Sequence, residues 1–214
     1  MTDIRFDSVL FDMDGTLWDA VDSYAEIWNH TLRRMGLSHP EVTREQLLAL
    51  MGMPIHDIMR KLLPDLEIGA ETFLEALDHD EGEMMPVLGG RLYAEVRHTL
   101  ETLRRRGLRL FMVSNCGEKG LPNFLRYTGL EDLVEGHLSY GQTGQEKDVN
   151  IRTVVTRYNL TAPVYVGDTA GDLRCSHAAG VPFVWAAYGF GKAVVGADAG
   201  IQDISALPGV LEQL

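Results

Sequence analysis

The apolar run VLF at 9–11 ends in Asp12 and Asp14, two acids separated by a single residue. Carboxylates held about 4 Å apart repel by about 4 kcal/mol at an effective dielectric near 20, and a simple turn needs only one Asp, Asn or Ser before its glycine. Such a pair asks for a compensating positive charge. Further along, other apolar runs also end in polar residues: Ser114 and Asn115 after LFMV, and Asp168, followed by Asp172, after PVYVG. Lys147 opens a helical pattern between them. Clustered carboxylates suit a hard cation with oxygen ligands, and so small a number suits Mg²⁺ that keeps waters and takes a substrate oxygen. The metal would offset the Asp12/Asp168 charge and prepare the site for a phosphate dianion. A calcium loop counted from Asp12 fails, because its sixth position is Leu17 instead of Gly and its twelfth Ser23 instead of Glu.

These residues can meet only if strand ends converge. Residues 4–12 read as a strand whose VLF half is buried on both faces. Val21, Tyr24, Ala25, Trp28, Thr31, Leu32 and Met35 then recur at helical spacing and stop at Gly36. Thr43 with Gln46 makes a capping box for a second helix, Pro54 suits the first turn of a third ending before Pro64, and Phe73, Leu74 and Leu77 stripe a fourth. No strand is expected between Trp18 and Met85. After Gly89-Gly90 the pattern alternates: a helix over 91–106, strand 108–114, a helix around 123–127, a weaker strand near 134–139, helix 148–158, strand 163–168, helix 171–179 and strand 181–186. Alternation of this kind predicts an α/β, Rossmann-like fold: a mostly parallel sheet with helices on both faces. Residues 1–17 and 86–214 would form this core, and 18–85 a small all-helical cap inserted after the first strand. In open parallel sheets ligands bind beyond the carboxyl ends of the strands, where the polar residues above fall.

The chain has 214 residues, 45% of them hydrophobic, and a formal net charge of −12, which argues against nucleic acid or an anionic membrane as the main partner. The basic run 104–106 closes a helical pattern before Gly107 and reads as a solvated helix end. Cys116 and Cys175 form neither a CxxC nor a zinc spacing. With no signal peptide and no run of membrane-spanning length, a reduced cytoplasmic protein, monomeric by default, is expected. The seven histidines have no ligand spacing, GFG at 189–191 completes no dinucleotide fingerprint, and no phosphate-loop sequence occurs. Cys116 reads as a small filler and Trp28 as a core residue.

DMDGT at 12–16, Ser114 in VSN, Lys147 and GDTAGD at 167–172 together resemble the four ordered motifs of the haloacid dehalogenase superfamily. The helical insertion after the first motif is similar to the cap of its phosphoglycolate phosphatase and β-phosphoglucomutase branch. The resemblance implies a Mg²⁺-dependent phosphatase that hydrolyses a small phosphorylated metabolite through an aspartyl-phosphate. Asp12 would be nucleophile and metal ligand. Asp14 would be general acid and base, touching the metal through its backbone carbonyl. Asp168 would ligate the metal, and Asp172 would hold a metal-bound water or orient Lys147. Ser114, the Asn115 N–H and Lys147 would grip phosphate oxygens. The Gly52-Met53-Pro54 loop resembles the branch's substrate-specificity loop.

The second acid separates the alternatives. Dehalogenases of the superfamily characteristically lack an acid at the position of Asp14. A phosphonatase would need a Schiff-base lysine, and the cap offers only Lys61. A sugar-phosphate mutase of the β-phosphoglucomutase type would share the core carboxylates and differ in how the cap re-presents the intermediate. A non-catalytic phosphate-sensing module would be favoured by a lost nucleophile or lysine, and both are present.

Overall fold

The structure is a computed structural model that describes residues 4–66 and 68–214. β1 (Ser8–Phe11) is the centre of a six-stranded sheet. A two-residue strand β2 (Trp18–Asp19) follows, then helices α1 (Val21–Arg34), α2 (Arg44–Leu48), α3 (Ile55–Leu62) and α4 (Ala70–Leu88), and a second two-residue strand β3 (Arg91–Leu92). The chain then alternates through α5 (Val96–Arg105), β4 (Arg109–Ser114), α6 (Gly120–Thr128), β5 (Gly136–Ser139), α7 (Tyr140–Thr143), α8 (Lys147–Arg157), β6 (Pro163–Gly167), α9 (Ala170–Ala178), β7 (Phe183–Ala186) and β8 (Ala199–Ile201), and closes with α10 (Leu207–Leu211). The sheet order is β5-β4-β1-β6-β7-β8, and every pairing is parallel. This is the α/β architecture expected of alternating strands and helices.

Strand alternation distributes the apolar side chains to two layers. Val9 and Phe11, Leu110 and Met112, and Val164 and Val166 share one cluster with α5 and α6, whereas Leu10, Phe111, Val113 and Tyr165 share the other with Ile151 and Val154 of α8. Because both faces are covered, the middle strands carry unbroken apolar runs. Their polar residues are left to the carboxyl ends.

The helical segment holds together in the same way. Trp28 of α1 meets Phe73 of α4 with ring centroids 5.6 Å apart, a pairing worth about 1 kcal/mol beyond its buried area. Asp80, though buried, accepts hydrogen bonds from Thr31 at 2.7 Å and Arg34 at 3.0 Å. The Thr43/Gln46 capping box opens α2 as its spacing predicts, and Pro54 takes the N-cap position of α3.

α4 passes through Pro86 to Leu88, where one missing N–H near a helix end leaves a single carbonyl unpaired. Two expectations change. The helix expected from residue 91 begins at Val96, because Arg91 and Leu92 pair antiparallel with Asp19 and Trp18. That ribbon also places a strand where none was expected, at Trp18. Among the described residues no helix is long and apolar enough to cross a membrane.

Candidate active site

β1 carries Asp12 into the carboxyl rim, where its N–H donates to the Val166 carbonyl at 2.9 Å. Ser114 ends β4, Asp168 follows β6, and Lys147 begins α8. Asp12, Lys147, Asp168 and Asp172 are all buried. The Lys147 ammonium stands 2.5 Å from Asp172 Oδ1 and 3.0 Å from Asp12 Oδ1, above the Tyr165 ring at 5.9 Å. Burial disfavours its charge, but Asp12 and Asp172 outweigh that and hold it protonated. The second oxygen of Asp172 accepts from the Thr169 N–H and hydroxyl at 2.9 and 2.6 Å. Asp172 is therefore clamped at both oxygens and directs Lys147 toward Asp12.

Asp12, Asp168 and Asp172 each offer a carboxylate oxygen, all within 4.8 Å of one another. Three acids face one ammonium, so two negative charges are in surplus, the charge a divalent ion would cancel. The strain registers in the acids. Burial, and then the Asp172 charge, push Asp12 up to about 6 in spite of Lys147. Burial and the neighbouring Asp172 and Asp12 charges likewise raise Asp168 well above the ordinary range. Asp12 Oδ1 is buried and is paired with the Lys147 ammonium 3.0 Å away. An all-oxygen donor set and a charge surplus fit a hard divalent cation.

Asp14 stands apart from that cluster. Its carboxylate accepts from Trp18 Nε1 at 3.0 Å and, at the limit of bonding distance, from the Tyr24 hydroxyl at 3.5 Å. Burial and the Asp12 charge raise it well above the ordinary carboxylate range, against the Trp18 hydrogen bond. The side chain that would carry a proton is thus held by Trp18 of β2 and Tyr24 in the first turn of α1.

Asp12, Asp14, Ser114, Asn115 and Lys147 all border a partly enclosed cavity of about 50 Å³. On that measure a water needs about 10–15 Å³, so there is room for a phosphoryl group on a body of a few atoms. The far walls come from the helical segment, chiefly Tyr24, Trp28, Met51, Met53, Ile58 and Glu81. Gly52 also borders the cavity, and Pro54 does not. The Asn115 side chain donates to the Gly52 carbonyl at 2.9 Å, so the amide latches the helical segment to the core. Trp28 is buried, as a core residue should be, yet one edge lines the cavity. Cys116 lines it too. Burial and Asp14 raise its thiol far above neutrality, which leaves it inert.

The sequence reading missed three features. Phe190 and Gly191 donate backbone N–H groups to Asp168 Oδ2 at 2.7 and 3.2 Å. A Cβ at Gly189 would run into Asp168 and the Gly15 carbonyl, so GFG is a cradle for Asp168 with no room for side chains at its glycines. The third is Glu81, a buried acid on α4 that burial and Asp78 push up to about 8. It was signalled by its place at four-residue steps with Phe73, Leu77 and Met85, on the stripe that a helix buries.

A family model described as haloacid dehalogenase-like hydrolase matches residues 9–186. A phosphoglycolate phosphatase from Aliivibrio fischeri is 30% identical over 198 residues, 85% of this chain and 84% of that protein. One from Aquifex aeolicus is 27% identical over 194 residues, 86% of each. A solved structure described as a predicted phosphoglycolate phosphatase from Haemophilus somnus superposes with a TM-score of 0.81 at 23% identity, covering 96% of this chain and 97% of that one. The chain belongs to the haloacid dehalogenase-like hydrolase family, and among its relatives it resembles the phosphoglycolate phosphatases.

Proposed function

We propose that this chain is a Mg²⁺-dependent phosphoric monoester hydrolase acting on a small phosphorylated metabolite through an aspartyl-phosphate. The observation that carries the reading is Asp12 itself: a buried carboxylate at the edge of a cavity, paired with an ammonium aimed by Asp172. In this reading residues 1–17 and 86–214 act as the catalytic core and 18–85 as a cap over it.

Asp12 attacks phosphorus while the bond to the ester oxygen breaks, and Asp14 gives that oxygen its proton. Water then attacks the aspartyl-phosphate, Asp14 takes the proton back, and phosphate leaves with Asp12 restored. Ser114, the Asn115 N–H and Lys147 hold the phosphoryl oxygens, with Lys147 opposing the charge that builds on them. Asp12, the Asp14 carbonyl and Asp168 would hold Mg²⁺, which supplies charge neutralisation at the phosphoryl group. The cap excludes bulk water during both steps.

The test joins turnover to binding. Purified protein should release inorganic phosphate from an aryl phosphate only with Mg²⁺. Asp12→Asn should abolish release without unfolding the chain. Mg²⁺ should raise the wild-type Tm in the absence of substrate, and this increase should vanish in Asp168→Asn. Turnover by Asp12→Asn, or isomerisation of a sugar phosphate with no phosphate released, would overturn the reading.

A further inference from the structure

Resting on the phosphatase reading above, we propose that Glu81 suits this cavity to phosphate esters of small uncharged alcohols and turns it away from esters whose leaving group bears a carboxylate. Ser114 and Lys147 occupy the phosphoryl corner, and what remains for the leaving group is walled by Trp28, Met51, Met53 and Ile58, with Tyr24 and Glu81 as the polar groups of the cap. Lys147 is the only cation bordering the cavity among the described residues, and it is already held between Asp12 and Asp172. The nearest basic neighbour of Glu81, Lys119, turns to Asp78, with its ammonium 3.4 Å from the Asp78 carbonyl and 3.6 Å from Oδ2.

A carboxylate placed here would lie against apolar walls, with Asp14 on one side and Glu81 on the other. If Glu81 is ionised the two repel. If it is protonated it gives one hydrogen bond and leaves a buried charge without a counter-ion. A hydroxyl donates to the ionised acid or accepts from the protonated one, so it is satisfied in both states. Burial, and the elevated position of Glu81 near 8, agree with an acid that meets neutral partners. The cavity's small volume of about 50 Å³ favours a short alcohol.

The decisive comparison is between 2-hydroxyethyl phosphate and phosphoglycolate, which differ only in a CH₂OH for a carboxylate. With the full chain and Mg²⁺, kcat/KM for the neutral ester should exceed that for phosphoglycolate by at least tenfold. Glu81→Lys should shift the ratio toward phosphoglycolate by tenfold or more. Glu81→Gln, the milder change should the lysine variant misfold, should shift it the same way by several-fold in assays above about pH 8, where the wild-type acid ionises. Phosphoglycolate turned over as well as the neutral ester, or a ratio unmoved by both variants, would overturn the inference and leave the phosphatase reading standing. No hydrolysis of any ester, including an aryl phosphate, would overturn both.

Discussion

Replacing Trp18 with Phe removes one atom pair that matters to the proposed chemistry, the indole N–H on Asp14 at 3.0 Å. A hydrogen bond to a charged group contributes about 1.5–3 kcal/mol, so if the bond fixes the carboxylate where it must take a proton, its loss slows that step roughly ten- to a hundredfold. The step most exposed is hydrolysis of the aspartyl-phosphate, because a good leaving group needs little help in the first half-reaction. An aryl phosphate mixed rapidly with the variant should therefore give a burst of phenol, followed by a slow steady rate. Tyr24→Phe should slow it far less, since its contact is 3.5 Å. Trp18 also packs edge-on to Phe124, with centroids 5.0 Å apart, so the variant should lose about 1–2 kcal/mol of stability as well. Phe124→Leu supplies the control, disturbing that packing while sparing the hydrogen bond. Equal steady rates in Trp18→Phe and wild type, or an equal slowing in Phe124→Leu, would refute the positioning role.

Two further outcomes follow from the buried acids and the close glycines. Glu81 is held protonated in the fold up to about pH 8, above its ordinary value, so the stability this acid contributes is present at low pH and is lost as pH rises from about 4.5 to 8. Glu81→Gln cannot ionise, and its Tm should gain on wild type across that window; parallel curves would show that Glu81 is charged in the fold. Gly189→Ala should cost about 1–3 kcal/mol through overpacking and abolish turnover by displacing Asp168, whereas Gly209→Ala, with open space around it, should do neither in activity and stability assays.

The carboxyl rim was legible because its residues end apolar runs or open helices, and strand direction alone sends them to one edge. Asp12, Ser114, Lys147 and Asp168 needed no knowledge of side-chain contacts to be brought together. Trp18, Tyr24 and the Phe190-Gly191 cradle were not legible, because their partners lie in loops whose path no periodicity encodes. Glu81 was hidden by its neighbours Asp78, Asp80 and Glu83, which give α4 the look of a solvated face. The short strands were lost for another reason. β2, β3 and β8 have two or three residues each, too few to display alternation, and their pairing partners rather than their composition make them strands.

The pairing of Trp18 with Leu92 sets the departing and returning chains about 5 Å apart. Whatever is spliced between them begins and finishes at neighbouring points, so the core need not stretch to accommodate it. The intervening helices could be exchanged for another module of any length whose own ends lie equally close, leaving Asp12, Lys147 and Asp168 undisturbed. On the proposed reading, selectivity and reactivity are thereby separable at the level of the gene: one stretch of coding sequence can be shuffled to change what is bound while the remainder conserves what is done to it.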